Sequence, residues 1–103
     1  MKYSSTRGNG VLFGSAEAII QGLAADGGLF VPDEIPQIDE SFLADLQPLT
    51  YEERAGKILG LFLTDYTTEE IQSCVEKAYG QGKFDAAMRA PVTIFDDVSV
   101  LEL

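Results

Sequence analysis

Histidine and tryptophan are absent from these 103 residues, cysteine occurs once, and seven lysines and arginines stand against 17 aspartates and glutamates. Each scarcity excludes something. Without histidine the chain lacks the usual general base at neutral pH and the commonest metal ligand, so no Ser-His-Asp site can be assembled within it. The single cysteine cannot form an internal disulfide, and no metal-ligand spacing of cysteines exists, which points to a reducing, cytoplasmic setting. A formal charge of -10 repels a phosphate backbone and argues against nucleic acid as a partner. The longest apolar stretch, Ile58 to Leu63, is interrupted by Gly60 and far too short to span a bilayer. The start, Met1 to Gly8, is too polar for a secretion signal, so no membrane is implied.

What is present is ordinary globular material. With 46% apolar residues, the chain can bury roughly 65% of its unfolded surface as one small domain. The acids fall in pairs, Asp33-Glu34, Asp39-Glu40, Glu52-Glu53, Glu69-Glu70 and Asp96-Asp97, as expected of a solvated surface.

The periodicities predict a mainly helical α+β fold with short strands. Lys2 to Ser5 reads as a strand followed by the Gly8-Asn9-Gly10 turn. A first amphipathic helix is expected from a Ser15 cap, with Ala16, Ile19, Ile20 and Leu23 at helical spacing and Gly27 as its C-terminal cap. Gly28 to Pro32 is expected to be extended, with Pro32 ending any ladder. Asp39 or Ser41 opens a short helix through Leu46, stopped by Pro48. Two capping boxes, Thr50 with Glu53 and Thr67 with Glu70, start two longer helices. One carries Ala55, Ile58, Leu59 and Phe62 on a face, the other Ile71, Cys74, Val75, Ala78 and Tyr79, so the two are expected to pack antiparallel with Cys74 as a buried core thiol. Gly80-Gln81-Gly82 ends the second, and Val92 to Phe95, Asp96-Asp97 and Val98 to Leu101 read as a C-terminal hairpin.

Chemistry is sparse. The glycine-rich turns Gly8-Asn9-Gly10 and Asp26-Gly27-Gly28 complete neither a dinucleotide fingerprint nor a phosphate loop. Arg7, within Ser4-Ser5-Thr6-Arg7-Gly8, has hydroxyls and a turn beside it that could converge on an anion; the plainer reading is a surface arginine. Lys57 would serve a Schiff base only if desolvated, and an ordinary surface lysine is the simpler expectation.

Ser5-Thr6-Arg7-Gly8 and Glu17 to Pro32, followed in order by Ala55-Gly56-Lys57-Ile58-Leu59 and Val100-Leu101-Glu102-Leu103, resemble the amino-terminal region of the threonine synthase family. The resemblance implies a fold type II enzyme that uses pyridoxal 5'-phosphate to convert O-phospho-L-homoserine and water into L-threonine and phosphate. In that family Leu-Glu-Leu runs into a Phe-His-Gly-Pro-Thr stretch and then the lysine that carries the cofactor; neither occurs here. Residues 1–103 are therefore expected to be the amino-terminal domain of a longer polypeptide, inactive and cofactor-free alone, whose partner is the missing catalytic domain. No catalytic or metal-binding residue is carried over. Thr6, Arg7, Gly8, Asp26, Gly27 and Gly28 occupy the family's most recognisable positions and are expected to face or brace its cleft. The apolar last residues suggest self-association of the isolated piece. The alternatives are a free-standing acidic interaction module and, more remotely, an independent small enzyme.

Overall fold

A computed structural model describes residues 1–8, 10–84 and 89–102. The chain runs β1 (Tyr3–Ser5), α1 (Ser15–Gln21), β2 (Phe30–Pro32), α2 (Glu40–Leu46), α3 (Tyr51–Phe62), α4 (Thr68–Tyr79), β3 (Val92–Phe95) and β4 (Val98–Leu101). The α+β expectation and the terminal hairpin both hold, with two separate antiparallel strand pairs, β1-β2 and β3-β4.

β1 is paired on both sides. Ser5 lies opposite Phe30, and Tyr3 lies opposite Pro32 in β2 while bridging to Phe13 on its other edge. Because the Tyr3 amide and carbonyl both bond Phe13, at 3.0 and 2.9 Å, Pro32 faces a position that asks for no N–H donor. Pro32 is the last residue of β2, as its sequence suggested, and one bond follows it, from the Asp33 amide to the Lys2 carbonyl at 2.9 Å. Phe13 and Phe30 meet edge to face, ring centroids 4.9 Å apart.

The first helix departs from its sequence reading at both ends. Its N-cap is Gly14, Ser15 is its first helical residue, and it stops at Gly22 (φ +75°), so Gly27 belongs to a separate turn. The cap comes from elsewhere in the chain: the Asp65 carboxylate accepts from the Ala16 amide at 2.9 Å, and Glu17 accepts from the Gly14 amide at 2.8 Å. A Cβ on Gly14 would lie 2.9 Å from that Asp65 oxygen, so a larger residue there would push the Asp65 carboxylate aside. The buried side is Ser15 and Ala18, whereas Ile19, Ile20 (86% exposed) and Leu23 lie in solvent.

The helices that follow start where the sequence placed them. Asp39 caps α2 by accepting from the Phe42 amide at 2.8 Å, and Arg54 closes its other end, donating to the carbonyls of Leu46 and Gln47 at 2.9 and 2.7 Å. Thr50-Glu53 and Thr67-Glu70 form reciprocal capping boxes on α3 and α4. The Tyr51 ring, at the start of α3, meets Tyr79, at the end of α4, with centroids 5.3 Å apart, which makes the pair antiparallel. Ile71 and Val75, one helical turn apart, are buried between them. Cys74 and Ala78 are exposed, which corrects the expected buried thiol. Cys74 sits one residue from Val75, about 100° round the helix, on a side left exposed.

Three bonds join the strand region to the α3-α4 connection. Tyr3 Oη donates to the Phe62 carbonyl at 3.0 Å, Asp65 caps α1, and the amino terminus donates to Thr64 Oγ1 at 2.7 Å. Burial, followed by the nearby Asp65 and Asp33, pushes the Tyr3 hydroxyl pKa up. Among the described residues no helix is long and apolar enough to cross a membrane.

Candidate functional site

Two glycine turns, distant in sequence, dock on each other beside the β1-β2 pair. β1 ends at Ser5, and the Gly8 amide folds back onto the Ser5 carbonyl at 3.0 Å, with Gly8 at φ +74°. The second turn carries the chain from α1 to β2: the Gly27 amide donates to the Ala24 carbonyl at 2.8 Å, and the Ala24 amide to the Gly28 carbonyl at 3.0 Å.

Side chains stitch the turns together. Ser5 Oγ donates to Asp26 Oδ1 at 2.6 Å, and the Gly28 amide donates to the same oxygen at 3.0 Å. Ser5 Oγ also accepts from the Arg7 amide at 3.2 Å. Alongside, Thr6 and Leu29 exchange two bonds: the Leu29 amide donates to Thr6 Oγ1 at 3.0 Å, and the Thr6 amide donates to the Leu29 carbonyl at 2.9 Å. Gly28 is buried at the centre. A Cβ there would lie 2.1 Å from Ser5 Oγ and 3.1 Å from both Asp26 Oδ1 and Thr6 Oγ1, so only glycine lets the turns close.

The electrostatics follow from this geometry. The Ser5 hydroxyl first, then the Gly28 amide and, more weakly, the Arg7 charge hold the Asp26 carboxyl below its usual range, against the opposing effect of burial. Its second oxygen, Oδ2, is buried without a hydrogen-bond partner among the described residues. The Arg7 side chain is exposed, its Cζ 3.9 Å from where a Cβ on Gly27 would stand.

All six candidates, Thr6, Arg7, Gly8, Asp26, Gly27 and Gly28, are thus brought into one cluster. The arrangement differs from the anion nest that the spacing allowed. The Ser5 and Thr6 hydroxyls are engaged inside the protein, and a carboxylate sits beside the guanidinium. Arg7 is left as the exposed charge of the cluster. Ser5, 4% exposed, was not among the candidates although it is the hub of the clasp; its partner lies 21 positions away, beyond the reach of any local spacing rule.

A second concavity, of about 320 Å³, lies along α3 and α4 and is lined by Glu53, Gly56, Lys57, Ile71 and Gln72, among others. Lys57 is exposed there, as are Lys2, Lys77 and Lys83. Lys57 is thus the surface lysine that the sequence suggested. Among the described residues no group of three or more acidic or cysteine side chains is placed to hold a metal ion.

Comparison with known proteins agrees along the whole chain. Residues 2–79 match the family described as Threonine synthase N terminus. Threonine synthase of Schizosaccharomyces pombe is 33% identical over 81 residues, which are 77% of this chain and 16% of that protein. The structure of PLP-bound threonine synthase from Brucella melitensis superposes with a TM-score of 0.80 at 35% identity, covering 99% of this chain and 22% of the other. Threonine synthase from Escherichia coli gives a TM-score of 0.78 at 28% identity, covering 99% and 23%. The chain thus spans about a fifth of the length of these proteins. With a family match over most of its residues and the same fold throughout, the chain belongs to the threonine synthase N-terminus family.

Proposed function

We propose that this chain is the amino-terminal domain of a cytoplasmic threonine synthase, whose full-length polypeptide converts O-phospho-L-homoserine and water into L-threonine and phosphate with pyridoxal 5'-phosphate. The observation that carries this reading is the superposition of 99% of the chain on the PLP-bound enzyme at 35% identity. The residues present do not fit the cofactor, because every lysine is exposed. In this reading the lysine that carries the cofactor lies in the rest of the polypeptide, the domain is inactive alone, and its work is to pack against the catalytic domain and shape the cleft.

Within that reading the Ser5-Asp26 clasp is a rigid bracket that presents Arg7 to the cleft. The Ser5 hydroxyl and Asp26 Oδ1 are committed to holding two turns together, and the guanidinium, a planar fork suited to phosphate or carboxylate, is the charge left exposed. In the full-length enzyme, Arg7→Ala is expected to lower kcat/KM for threonine formation at least about tenfold with little change in thermal stability. Unchanged kinetics and stability would remove Arg7 from the cleft. A reading frame that stops after residue 103 would overturn the domain reading and favour a free-standing module.

A further inference from the structure

The cavity along α3 and α4, about 320 Å³ in volume, is at the small end of ligand pockets, which run roughly 300–1,000 Å³. One wall is the α3 stripe Glu53, Gly56, Lys57 and Gly60, spaced i, i+3, i+4 and i+7, and the other is Thr68, Ile71 and Gln72 of α4. Glycine is a poor residue inside a helix, and at Gly60 the backbone does not ask for it. Its φ is not positive, and a Cβ there would meet nothing within 4 Å. What two glycines one turn apart do is strip the α3 wall of side chains and leave room beside Lys57.

The charges along this wall are held apart. Glutamate four residues before lysine is the favourable order for a helical ion pair, yet no ion pair joins Glu53 to Lys57. The capping box explains why: Glu53 Oε2 accepts from the Thr50 amide and hydroxyl, at 2.8 and 3.0 Å, which fixes the carboxylate and leaves Oε1 without a hydrogen bond. The same bonds hold the Glu53 pKa below its usual value, so the group is charged at neutral pH. Lys57 is exposed and has no hydrogen-bond or ion-pair partner among the described residues. Gln72 is braced from behind, its Nε2 donating to Glu76 Oε1 at 3.2 Å. Because a carboxylate only accepts, the other end of the amide, Oε1, is the one turned to α3, where it lies 3.3 Å from the Cβ position of Gly56.

The cavity thus presents two braced acceptors, Glu53 Oε1 and Gln72 Oε1, and the Lys57 ammonium, beside apolar contact from Leu49 and Ile71. Two acceptors, one of them charged, suit an ammonium group, and a lysine suits a carboxylate. A simple cation or anion would answer only half of this set. A helix from elsewhere is also a poor occupant, since its backbone brings no charge and it would bury Glu53 and Lys57 unpaired.

We propose that the α3-α4 cavity binds a small zwitterionic α-amino acid, its ammonium group on Glu53 and Gln72 and its carboxylate on Lys57. The proposal does not rest on the function proposed above, because it uses the helical pair alone.

NMR titration of the isotopically labelled 103-residue chain tests it, with L-threonine and L-valine as probes. Propionate and propylamine, each carrying one of the two charges, are the controls. Amides of Gly56, Lys57, Gly60 and Gln72 are expected to shift saturably with either amino acid, half-saturated below about 10 mM, and the controls to bind at least about tenfold more weakly. Lys57→Ala, at an exposed position, should weaken binding at least about tenfold. Gly60→Leu, whose Cβ meets no neighbour, should fill the cavity and abolish binding without lowering the melting temperature.

No saturable shift, equal binding of either control, or binding that survives Gly60→Leu would each overturn the proposal. If the short chain gives no dispersed spectrum, calorimetry on the full-length protein decides, read as the difference between the parent and Lys57→Ala. Binding to the short chain that the full-length protein lacks would also overturn it, and would assign the cavity to a contact with the rest of the polypeptide. Failure of the full-length protein to form threonine defeats the proposed function and leaves this site standing.

Discussion

The α3-α4 pair and the Ser5-Asp26 clasp are built on opposite principles. Each long helix begins with a capping box closed within three residues, and the pair is joined mainly by apolar packing, at Ile71, Val75 and the Tyr51-Tyr79 rings, with Arg89 bridging Glu52 and the Tyr79 carbonyl. The clasp buries little apolar surface and depends on one hydroxyl, one carboxylate and a glycine with no room for a side chain. Apolar packing degrades gradually as atoms are removed. A polar clasp in a tight space fails when a single group is displaced.

The sharpest way to break the comparison is Gly28→Ala. Its Cβ would have to expel the Ser5 hydroxyl, so the variant should lose roughly 2–3 kcal/mol in urea unfolding. A cost below that of an ordinary surface substitution would mean the turns can separate freely. Val75→Ala, at a site 1% exposed, should cost about 2 kcal/mol by removing two methyl groups from the helical interface, and the clasp should remain intact by hydrogen exchange.

The smallest effect is a pH dependence. Folding lowers the Asp26 pKa, chiefly through Ser5, so the stability it confers is present above the ordinary carboxylate range and is lost as pH falls through the lowered folded value. Glu53, lowered by the Thr50 amide and then its hydroxyl, works in the same direction. Ser5→Ala should reduce the melting temperature by roughly 5 °C at pH 7 and lose less on acidification to pH 3 than the parent. Because the two proteins share every carboxylate, their difference isolates the clasp from the general relief of charge repulsion. Parallel pH profiles would show that Ser5 does not set the Asp26 ionisation.

Legibility in the sequence divides along the same line. The starts of α2, α3 and α4 are written within three residues, in Asp39, Thr50-Glu53 and Thr67-Glu70, and they appear where expected. The hairpin was equally legible from Val92 to Leu101. The start of α1 was misread because its cap, Asp65, lies 49 positions away, leaving Ser15 to look like the obvious candidate. Cys74 was misplaced because helical periodicity shows which residues share a face but not how wide a stripe the partner covers; the buried stripe of α4 is only Ile71 and Val75. The six site residues were singled out by family resemblance, and nothing in their spacing showed that they meet. Ser5 was read only as part of a polar turn because its partner, Asp26, lies 21 positions away.

The junction at Phe62, Thr64 and Asp65, which holds Tyr3, the amino terminus and the first turn of α1, makes neither half autonomous. Its consequence is cooperativity. Heat or denaturant is expected to release the strand turns and the helical hairpin together, in one transition.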